Sequence, residues 1–257
     1  MLITLSPSKS QDFDTPGLSK KYSKPADLKD SELLIKALQK INSQQLQELM
    51  TVSENIAELN VNRYKMFNTP FTTKNAKQAI FAFKGDVYSG LDLDKFTEDD
   101  YAYAQDHLRI ISGLYGCLRP LDLIQPYRLE MKTKLNNDRG ENLYQFWGDR
   151  ITESLNKELK KQKEPVLVNL ASNEYFKSVK PKLLAGRLLT INFKETKDRK
   201  TRVVAIFAKR ARGMMADYII RNRVEKPEDI KKFKMGGYKF SKSLSDDKQW
   251  TFERPQP

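Results

Sequence analysis

Residues 110–120 read IISGLYGCLRP and join two parts of the chain through Gly113 and Gly116. The residues before Gly113 continue a helical pattern that begins at Thr97, and helices commonly end at a glycine. A tight turn then leads into a new segment. This order resembles a helix-hairpin-helix, whose glycines let backbone N–H groups approach a nucleic-acid phosphate. Two residues separate these glycines where the usual hairpin has one, so a glycine C-cap and an ordinary turn is the alternative.

The segments on either side predict both helices and strands. Apolar or β-branched runs predict strands at 2–5, 166–170, 188–193 and 202–208, and alternation after Gly237 predicts a hairpin. N-caps and helical spacing predict helices that start at Ser31, Ser43, Ser53 and Thr97 and helices over 143–159, over 214–223 and after Pro227. We therefore expect one α+β (mixed α/β) unit over residues 1–257, with a central mixed sheet and surrounding helices.

The net charge of +13 comes from one quarter of the sequence. Residues 177–239 contain 19 Lys and Arg against 6 Asp and Glu, whereas the other residues contain 27 of each sign. Nucleic acid is the commonest polyanionic partner of such a region. A general richness in lysine, as in many cytoplasmic proteins, is the alternative interpretation.

Composition argues against several classes of protein. No stretch approaches the roughly 20 apolar residues of a membrane-spanning helix, and the first residues lack the features of a signal peptide. The single cysteine, Cys117, excludes an intramolecular disulfide and favours a cytoplasmic location. With His107 as the one histidine, no His/Cys metal cluster can form. We expect no metal, no cofactor and no membrane partner.

The second candidate segment is the basic run Lys209-Arg210-Ala211-Arg212. It falls where the pattern predicts the junction between a strand and a helix. The N-terminus of a helix attracts anions through its free N–H groups and its dipole. A solvated basic turn is the alternative.

The third candidate segment follows the strand predicted at 166–170. Ser172 is a good helix N-cap, and Lys177 and Lys180 fall on one face. Tyr175 and Phe176 are aromatic residues among cations, an arrangement that can stack bases. Such aromatic residues more often belong to the core.

Two further segments carry charged residues at predicted strand ends. In an extended segment Arg128 and Glu130 lie on one face, as a buried ion pair or as part of a cleft. Lys9 follows the first predicted strand, at the end where open α/β sheets place ligands. Arg109 and Arg119 add charge near the central glycines.

Six motifs together resemble the peroxide-stress YaaA family in order and spacing, from the first residue to about residue 240. They are LSPSK (5–9), FKGDVYSGL (83–91), HLRIISGLYGCLRPLDLIQPYRLEM (107–131), NLYQFWGD (142–149), NLASNEYFKSVKPK (169–182) and AKRARG (208–213). The resemblance implies a cytoplasmic protein that helps cells survive hydrogen peroxide, a property linked in the family to lowered free iron and less iron-driven DNA damage. It also implies a mixed α/β fold with a positively charged cleft and a helix-hairpin-helix that bind distorted duplexes.

Carried onto this chain, the resemblance assigns DNA contacts to particular residues. The hairpin falls on Gly113, Leu114, Tyr115 and Gly116, followed by Arg119 and Arg128. The cations of the implied cleft are Lys9, Lys177, Lys180, Lys182, Lys209, Arg210 and Arg212.

Two functions remain open. The first is a monomeric protein that binds duplex DNA, bent or bulged DNA included, during peroxide stress. The second is an enzyme that acts on a nucleotide, a damaged base or another small anion in the same cleft. Its candidate catalytic residues are Lys9, Arg128 and Glu130, because a lysine in a cationic cleft can act as a nucleophile. The charge distribution favours binding over catalysis.

Overall fold

The fold is built around a mixed eight-stranded sheet. The computed structural model describes residues 1–257. Its strands are β1 (Leu2–Leu5), β2 (Ser10–Gln11), β3 (Lys77–Gln78), β4 (Phe83–Lys84), β5 (Leu108–Ser112), β6 (Gly116–Leu118), β7 (Leu123–Ile124), β8 (Val166–Asn169), β9 (Arg187–Lys197), β10 (Lys200–Arg202), β11 (Lys239–Ser241) and β12 (Gln249–Pro255). The large sheet has the order β11-β12-β9-β8-β1-β5-β6 with β10 paired to β9, and two ribbons pair β2 with β4 and β3 with β7.

Nine α-helices surround the sheet. They are α1 (Leu28–Leu38), α2 (Ser43–Met50), α3 (Glu54–Met66), α4 (Ala79–Ala82), α5 (Glu98–His107), α6 (Leu143–Trp147), α7 (Arg150–Leu159), α8 (Asn173–Phe176) and α9 (Ala205–Arg221). Short 3-10 turns add Tyr88–Gly90, Leu93–Lys95, Pro181–Leu183, Pro227–Lys232, Met235–Gly237 and Lys242–Leu244. None of the helices is long and apolar enough to cross a membrane.

Five neighbouring strands, β12, β9, β8, β1 and β5, run parallel. All four residues of β1 are buried because helices cover both faces at the centre of the sheet, which explains its mostly apolar sequence. From β1 the chain proceeds to β5 on one side, and from β8 it proceeds to β9 on the other. The carboxyl ends of β1 and β8 therefore mark the switch point at which open α/β sheets bind ligands.

The strand β9 extends beyond this switch point. Thr4, Asn169 and Thr190 lie at one level of the sheet, and β9 continues to Lys197 beside β12. The helix α9 then returns along β9, tied to it by a hydrogen bond from the N–H of Val204 to Glu195 Oε2 (3.1 Å). This extension and α9 together form one wall above the carboxyl ends of β1 and β8.

The predicted helix-hairpin-helix is wrong. The helix α5 ends at His107, and the following residues form β5 and β6, two antiparallel strands of the large sheet. Leu108–Ser112 is buried throughout. The burial of this apolar segment in the sheet overrides the helical pattern that precedes it. The two glycines serve the resulting β-hairpin, where Gly116 has a φ of +67° and a Cβ would collide with the ring of Trp147.

Other boundary predictions need correction. The strand predicted at 202–208 is wrong, since Ala205 begins α9. The single helix predicted over 143–159 is two helices, because Gly148 adopts a left-handed φ of 51° between them. Helix α1 starts at Leu28 and buries Ser31 in its interior, and Asn42 caps α2 in place of Ser43.

Several predictions are confirmed. The strand at 2–5 and the hairpin of β11 and β12 form as predicted. Ser53 stands at the N-cap of α3, and Thr97 caps α5 through reciprocal bonds with Asp100. In α3 Tyr64 is buried, whereas Leu59 is 49% exposed.

Candidate functional site

The floor of the candidate site is the pair Ser6 and Ser172, which follow β1 and β8. The N–H of Ser172 donates to Ser6 Oγ at 2.8 Å, and the two hydroxyl oxygens are 3.3 Å apart. The hydroxyl of Tyr88 donates to the carbonyl of Ser6 at 3.1 Å. These bonds fix the chain where it leaves the two strands at the switch point.

A cluster of cations surrounds Glu130 beside this floor. Lys9 Nζ and Arg128 Nη2 each lie 3.1 Å from Glu130 Oε1, and Lys132 Nζ lies 3.6 Å from Oε2. The Glu130 side chain is 7% exposed. Burial raises the pKa of Glu130, but bonding to Lys9 and Arg128 outweighs it and holds that pKa below the usual 4.5. Glu130 is therefore ionised at neutral pH.

The predicted placement of Arg128 and Glu130 on one face is confirmed by their ion pair. Two exposed lysines follow further along the chain. Met131, Thr133 and Leu135 are buried, whereas Lys132 and Lys134 between them are exposed. A turn at Met131–Lys132, closed by a hydrogen bond from the N–H of Thr133 to the carbonyl of Glu130 (3.0 Å), separates the two lysines from Arg128 and Glu130, yet all four side chains line one cleft.

This segment lines a cleft of about 560 Å³, here called the Glu130 cleft. Its charged residues are Lys9, Arg128, Lys132, Lys134, Glu48 and Glu130. Four cations thus face two carboxylates, and Glu130 already binds three of the four. Arg128 Nε is buried without a hydrogen-bond partner. The cleft consequently has an excess of positive charge.

Lys177 borders the Glu130 cleft through Tyr144 and Glu174. Lys177 Nζ lies 5.1 Å from the centre of the Tyr144 ring, and the Tyr144 hydroxyl donates to the carbonyl of Glu174 at 2.9 Å. The carboxylate of Glu174 accepts from the N–H of Lys132 at 3.3 Å. These contacts bring Lys177 to the rim of the cleft.

Lys180 and Lys182 lie beside α7 and do not line the cleft. The N–H of Lys180 donates to Thr152 Oγ1 at 2.8 Å, and Asn156 Nδ2 donates to the carbonyl of Leu183 at 2.7 Å. Thr152 and Asn156 both belong to α7. The chain has therefore turned away from the switch point at these two lysines.

The basic run 209–212 lies inside α9, so its predicted position at a strand-to-helix turn is wrong. Lys209 Nζ is 3.6 Å from Asp86, and Arg210 is exposed. Arg212 is half-buried, and its Nε has no hydrogen-bond partner. The three cations thus point in different directions from one helix.

Arg109 and Arg119 stabilise the opposite edge of the sheet. Arg109 donates to two carbonyls near the start of β5 and lies 3.5 Å from Glu158. Arg119 follows β6, which runs back from the switch point, and pairs with buried Asp122 at 3.0 Å. Neither arginine is near Arg128 and the Glu130 cleft.

The four hairpin residues assigned to DNA contact, Gly113, Leu114, Tyr115 and Gly116, are buried. Trp147 Nε1 donates to the carbonyl of Gly113 at 2.9 Å. The hydroxyl of Tyr115 receives the N–H of Gln125 at 3.0 Å. Contact between this turn and a nucleic acid is excluded in this fold, because the core covers it.

Sequence reasoning missed Lys132, Lys134 and Tyr88. The alternation that pairs Arg128 with Glu130 does not extend to the two lysines, because a turn at Met131–Lys132 interrupts it. Tyr88 gave no local signal either, because its contact with Ser6 spans 82 residues. No group of three or more His, Cys, Asp or Glu that could hold a metal ion is present.

Comparison with known proteins agrees with the motifs that surround this site. A family profile described as "Peroxide stress protein YaaA" matches residues 1–244. The chain belongs to the peroxide stress protein YaaA family. The match includes both strands of the switch point, the Glu130 cleft and α9.

Relatives align with the chain over its whole length. A UPF0246 protein of Saccharophagus degradans is 52% identical over 256 residues, with all of both chains covered. UPF0246 proteins of Cellvibrio japonicus and Colwellia psychrerythraea are 49% and 48% identical, again with full coverage of both chains. Family membership supports a role in peroxide stress.

Proposed function

We propose that this protein binds duplex DNA during peroxide stress and that the Glu130 cleft contacts the phosphate backbone. The observation that carries the proposal is the row Arg128, Glu130, Lys132 and Lys134, joined by Lys9 at the switch point. The row provides four cations and only one carboxylate. Lysines that are exposed and flexible suit contact with phosphates, which positions DNA without reading its sequence.

The cations of this row differ in how freely they can contact a phosphate. Arg128 is held by Glu130, and its side chain is 19% exposed. The side chain of Lys132 is 65% exposed, and Lys134 is exposed and makes no ion pair. Lys132 and Lys134 are therefore the proposed primary phosphate contacts, with Lys177 at the rim as a third.

In this proposal, the protein acts in the cytoplasm and helps limit iron-driven oxidative damage to DNA. The family description supports the link to peroxide. Binding through phosphates needs no base sequence, so one protein can cover many sites. Bent or bulged DNA is a proposed preference, because a distorted duplex brings phosphates closer to a concave surface.

Fluorescence anisotropy with labelled intact, bulged and abasic duplexes across a salt series tests the proposal. We expect binding that weakens steeply with salt, with a log–log slope of about −0.9 for each phosphate contact. Tighter binding to the bulged duplex is expected if distortion is recognised. The absence of binding to every duplex at low salt would contradict the proposal.

An enzyme acting on a small anion is the second candidate, and the position of the site favours it. Ser6, Ser172 and Glu130 lie at the switch point, where α/β enzymes commonly place their substrates. A gel of the DNA recovered from the binding assay separates the two functions. Unaltered DNA supports binding alone. Cleaved abasic DNA supports an enzyme, and Lys9→Ala should then abolish cleavage while binding persists.

A further inference from the structure

Arg212 carries a positive charge that no residue of this chain neutralises. Its Nε is buried without a hydrogen-bond partner. No carboxylate oxygen lies within the 4.0 Å that defines an ion pair. Burial lowers the pKa of the Arg212 guanidinium, with no contribution from a neighbouring charge. A half-buried cation in such surroundings is unfavourable unless an anion joins it.

The other arginines with an unsatisfied buried nitrogen differ from Arg212 in this respect. Arg128 pairs with Glu130, Arg139 with Asp30, and Arg254 lies 3.7 Å from Glu195. Each of these three cations therefore has a carboxylate partner within the fold. Arg212 is the member of this group that lacks one.

The register of the sheet locates Arg212 at the level of the switch point. Glu195 lies five residues beyond Thr190, about 16 Å above the ends of β1 and β8 at about 3.3 Å per residue. The N–H of Val204 donates to the Glu195 side chain, so the start of α9 lies at the level of Glu195. Arg212 is eight residues further along α9, about 12 Å back at about 1.5 Å per residue. Its Cα therefore lies within a few ångströms of the switch-point level.

The far end of α9 supports this position. The carbonyl of Val224, just after α9, accepts from the Tyr103 hydroxyl at 3.4 Å. Tyr103 stacks on His107, whose Nδ1 lies 2.8 Å from the carbonyl of Met1. The helix thus runs from the extension of β9 down to the beginning of β1, and it passes the end of β1 between these points.

Arg212 projects from the side of α9 that faces the sheet. Ala208 and Ala216, one turn before and after it, are buried on the same side. Side chains of a helix lean toward its N-terminus. Gly213, the next residue, packs against Val87 and Gly90, and Tyr88 between them donates to the carbonyl of Ser6, so this turn of α9 lies beside the floor formed by Ser6 and Ser172.

The floor has a free donor for an anion. The Ser6 hydroxyl donates to the Ser172 oxygen, which leaves the hydrogen of the Ser172 hydroxyl without a partner. A guanidinium binds a phosphate through two parallel N–H bonds. We infer that Arg212, with the Ser172 hydroxyl, forms a subsite for a single phosphate group, supplied by a phosphorylated small molecule or by a nucleic-acid terminus.

This subsite does not depend on duplex binding by the Glu130 cleft, and thermal unfolding tests it separately. The wild type, Arg212→Met and Arg202→Met are compared with and without pyrophosphate, at an ionic strength matched with chloride. Arg202 is exposed and lies before α9, so it controls for the loss of one arginine charge. We expect pyrophosphate to raise the melting temperature of the wild type and of Arg202→Met but not of Arg212→Met.

The melting temperature of Arg212→Met without pyrophosphate is a second readout. Methionine removes the unpaired charge and keeps the length of the side chain, so Arg212→Met should melt at or above the wild-type temperature when no anion is present. If Arg212→Met does not fold, Arg212→Lys replaces it, because lysine keeps the charge but lacks the two parallel N–H donors of the guanidinium. Arg212→Lys should need at least about tenfold more pyrophosphate for the same rise in melting temperature. A wild type that pyrophosphate does not stabilise beyond chloride, or an Arg212→Met that it stabilises equally, would overturn the inference.

Competition distinguishes the two sources of phosphate. Displacement of pyrophosphate by a 5′-phosphorylated oligonucleotide, but not by its 5′-hydroxyl form, supports a nucleic-acid terminus. Displacement by a nucleoside monophosphate alone supports a small molecule. Duplex affinity measured on Arg212→Met reports on the Glu130 cleft, so either proposal can fail without the other.

Discussion

Lys9 Nζ lies 3.1 Å from Glu130 Oε1, which joins the loop after β1 to the segment at 128–134. The two residues are 121 positions apart in the sequence. Their ion pair holds the cation row against the carboxyl end of the sheet. Glu130 is therefore both the central carboxylate of the cleft and a link between two parts of the fold.

Glu130→Gln should destabilise the protein by about 1–3 kcal/mol at neutral pH, because Lys9 and Arg128 lose their carboxylate. The folded-state pKa of Glu130 lies below its usual 4.5, so its stabilisation is present above pH 4.5 and is lost as the pH falls through the folded pKa. Urea unfolding at pH 7 and at pH 3 measures the difference, which should shrink at the lower pH. Glu48→Gln, an exposed change in the same cleft, should stay within about 0.5 kcal/mol.

Arg119→Ala should reduce stability and leave DNA affinity unchanged. Arg119 forms an ion pair with Asp122, whose side chain is 1% exposed. Without the arginine, the buried carboxylate of Asp122 loses its cationic partner. We expect a loss of about 2–4 kcal/mol in denaturant unfolding. Anisotropy at a temperature where the variant is folded should give a Kd within about twofold of the wild type, because the proposed phosphate contacts lie in the Glu130 cleft and not at this edge. A loss of affinity without a loss of stability would restore Arg119 to the DNA interface.

Gly213→Ala should destabilise the protein although alanine favours helices by about 1 kcal/mol. A Cβ at this position would collide with the carbonyl oxygen of Val87, a backbone atom that cannot move aside. We expect a net loss above about 2 kcal/mol in chemical unfolding. Gly17→Ala is the matched control, because its Cβ would meet only the side chains of Phe81 and Gln78, and its loss should be much smaller.

Stability should fall as the pH drops below about 6.5 because of His107. Burial is the main reason that the pKa of this ring lies below its usual 6.5. The unfolded chain then binds a proton that the folded protein resists, so stability is lost as the pH falls from the unfolded to the folded pKa. Because the ring is only half-buried, the loss should be about 1 kcal/mol or less. Melting of His107→Gln between pH 7.5 and 5 should show a smaller decrease, and an equal decrease would exclude His107 as the cause.

Local sequence signals predicted the elements whose patterns agree with their tertiary surroundings. The apolar run at 2–5 and the cap at Thr97 are such cases. The prediction of a strand at 202–208 failed because Val203 and Val204 favour a strand. In the structure, Ala208, Ala211 and Met215 instead form part of the buried face of α9. Packing of that face on the sheet decides the structure, and a short window does not contain this information.

The candidate site was predicted in part, for a reason that lies in the topology. Lys9, Arg128 and Glu130 were recognised from strand ends and alternation, which are local features. The separation of Arg119 from Arg128 depends on β6 running back across the sheet, which only strand order reveals. The partnerless charge of Arg212 was equally invisible, because it depends on which side chains surround α9.

The salt dependence of duplex binding by Lys132→Ala/Lys134→Ala tests the central claim most directly. Lys160→Ala, an exposed lysine just after α7, is the control for charge. If the Glu130 cleft contacts DNA, the double variant should lose at least about tenfold in affinity, and its log–log slope should be smaller by about 1.8, whereas Lys160→Ala should match the wild type. Equal slopes and affinities for all three proteins, or no binding by the wild type at low salt, would contradict the assignment of the Glu130 cleft as the DNA-binding surface.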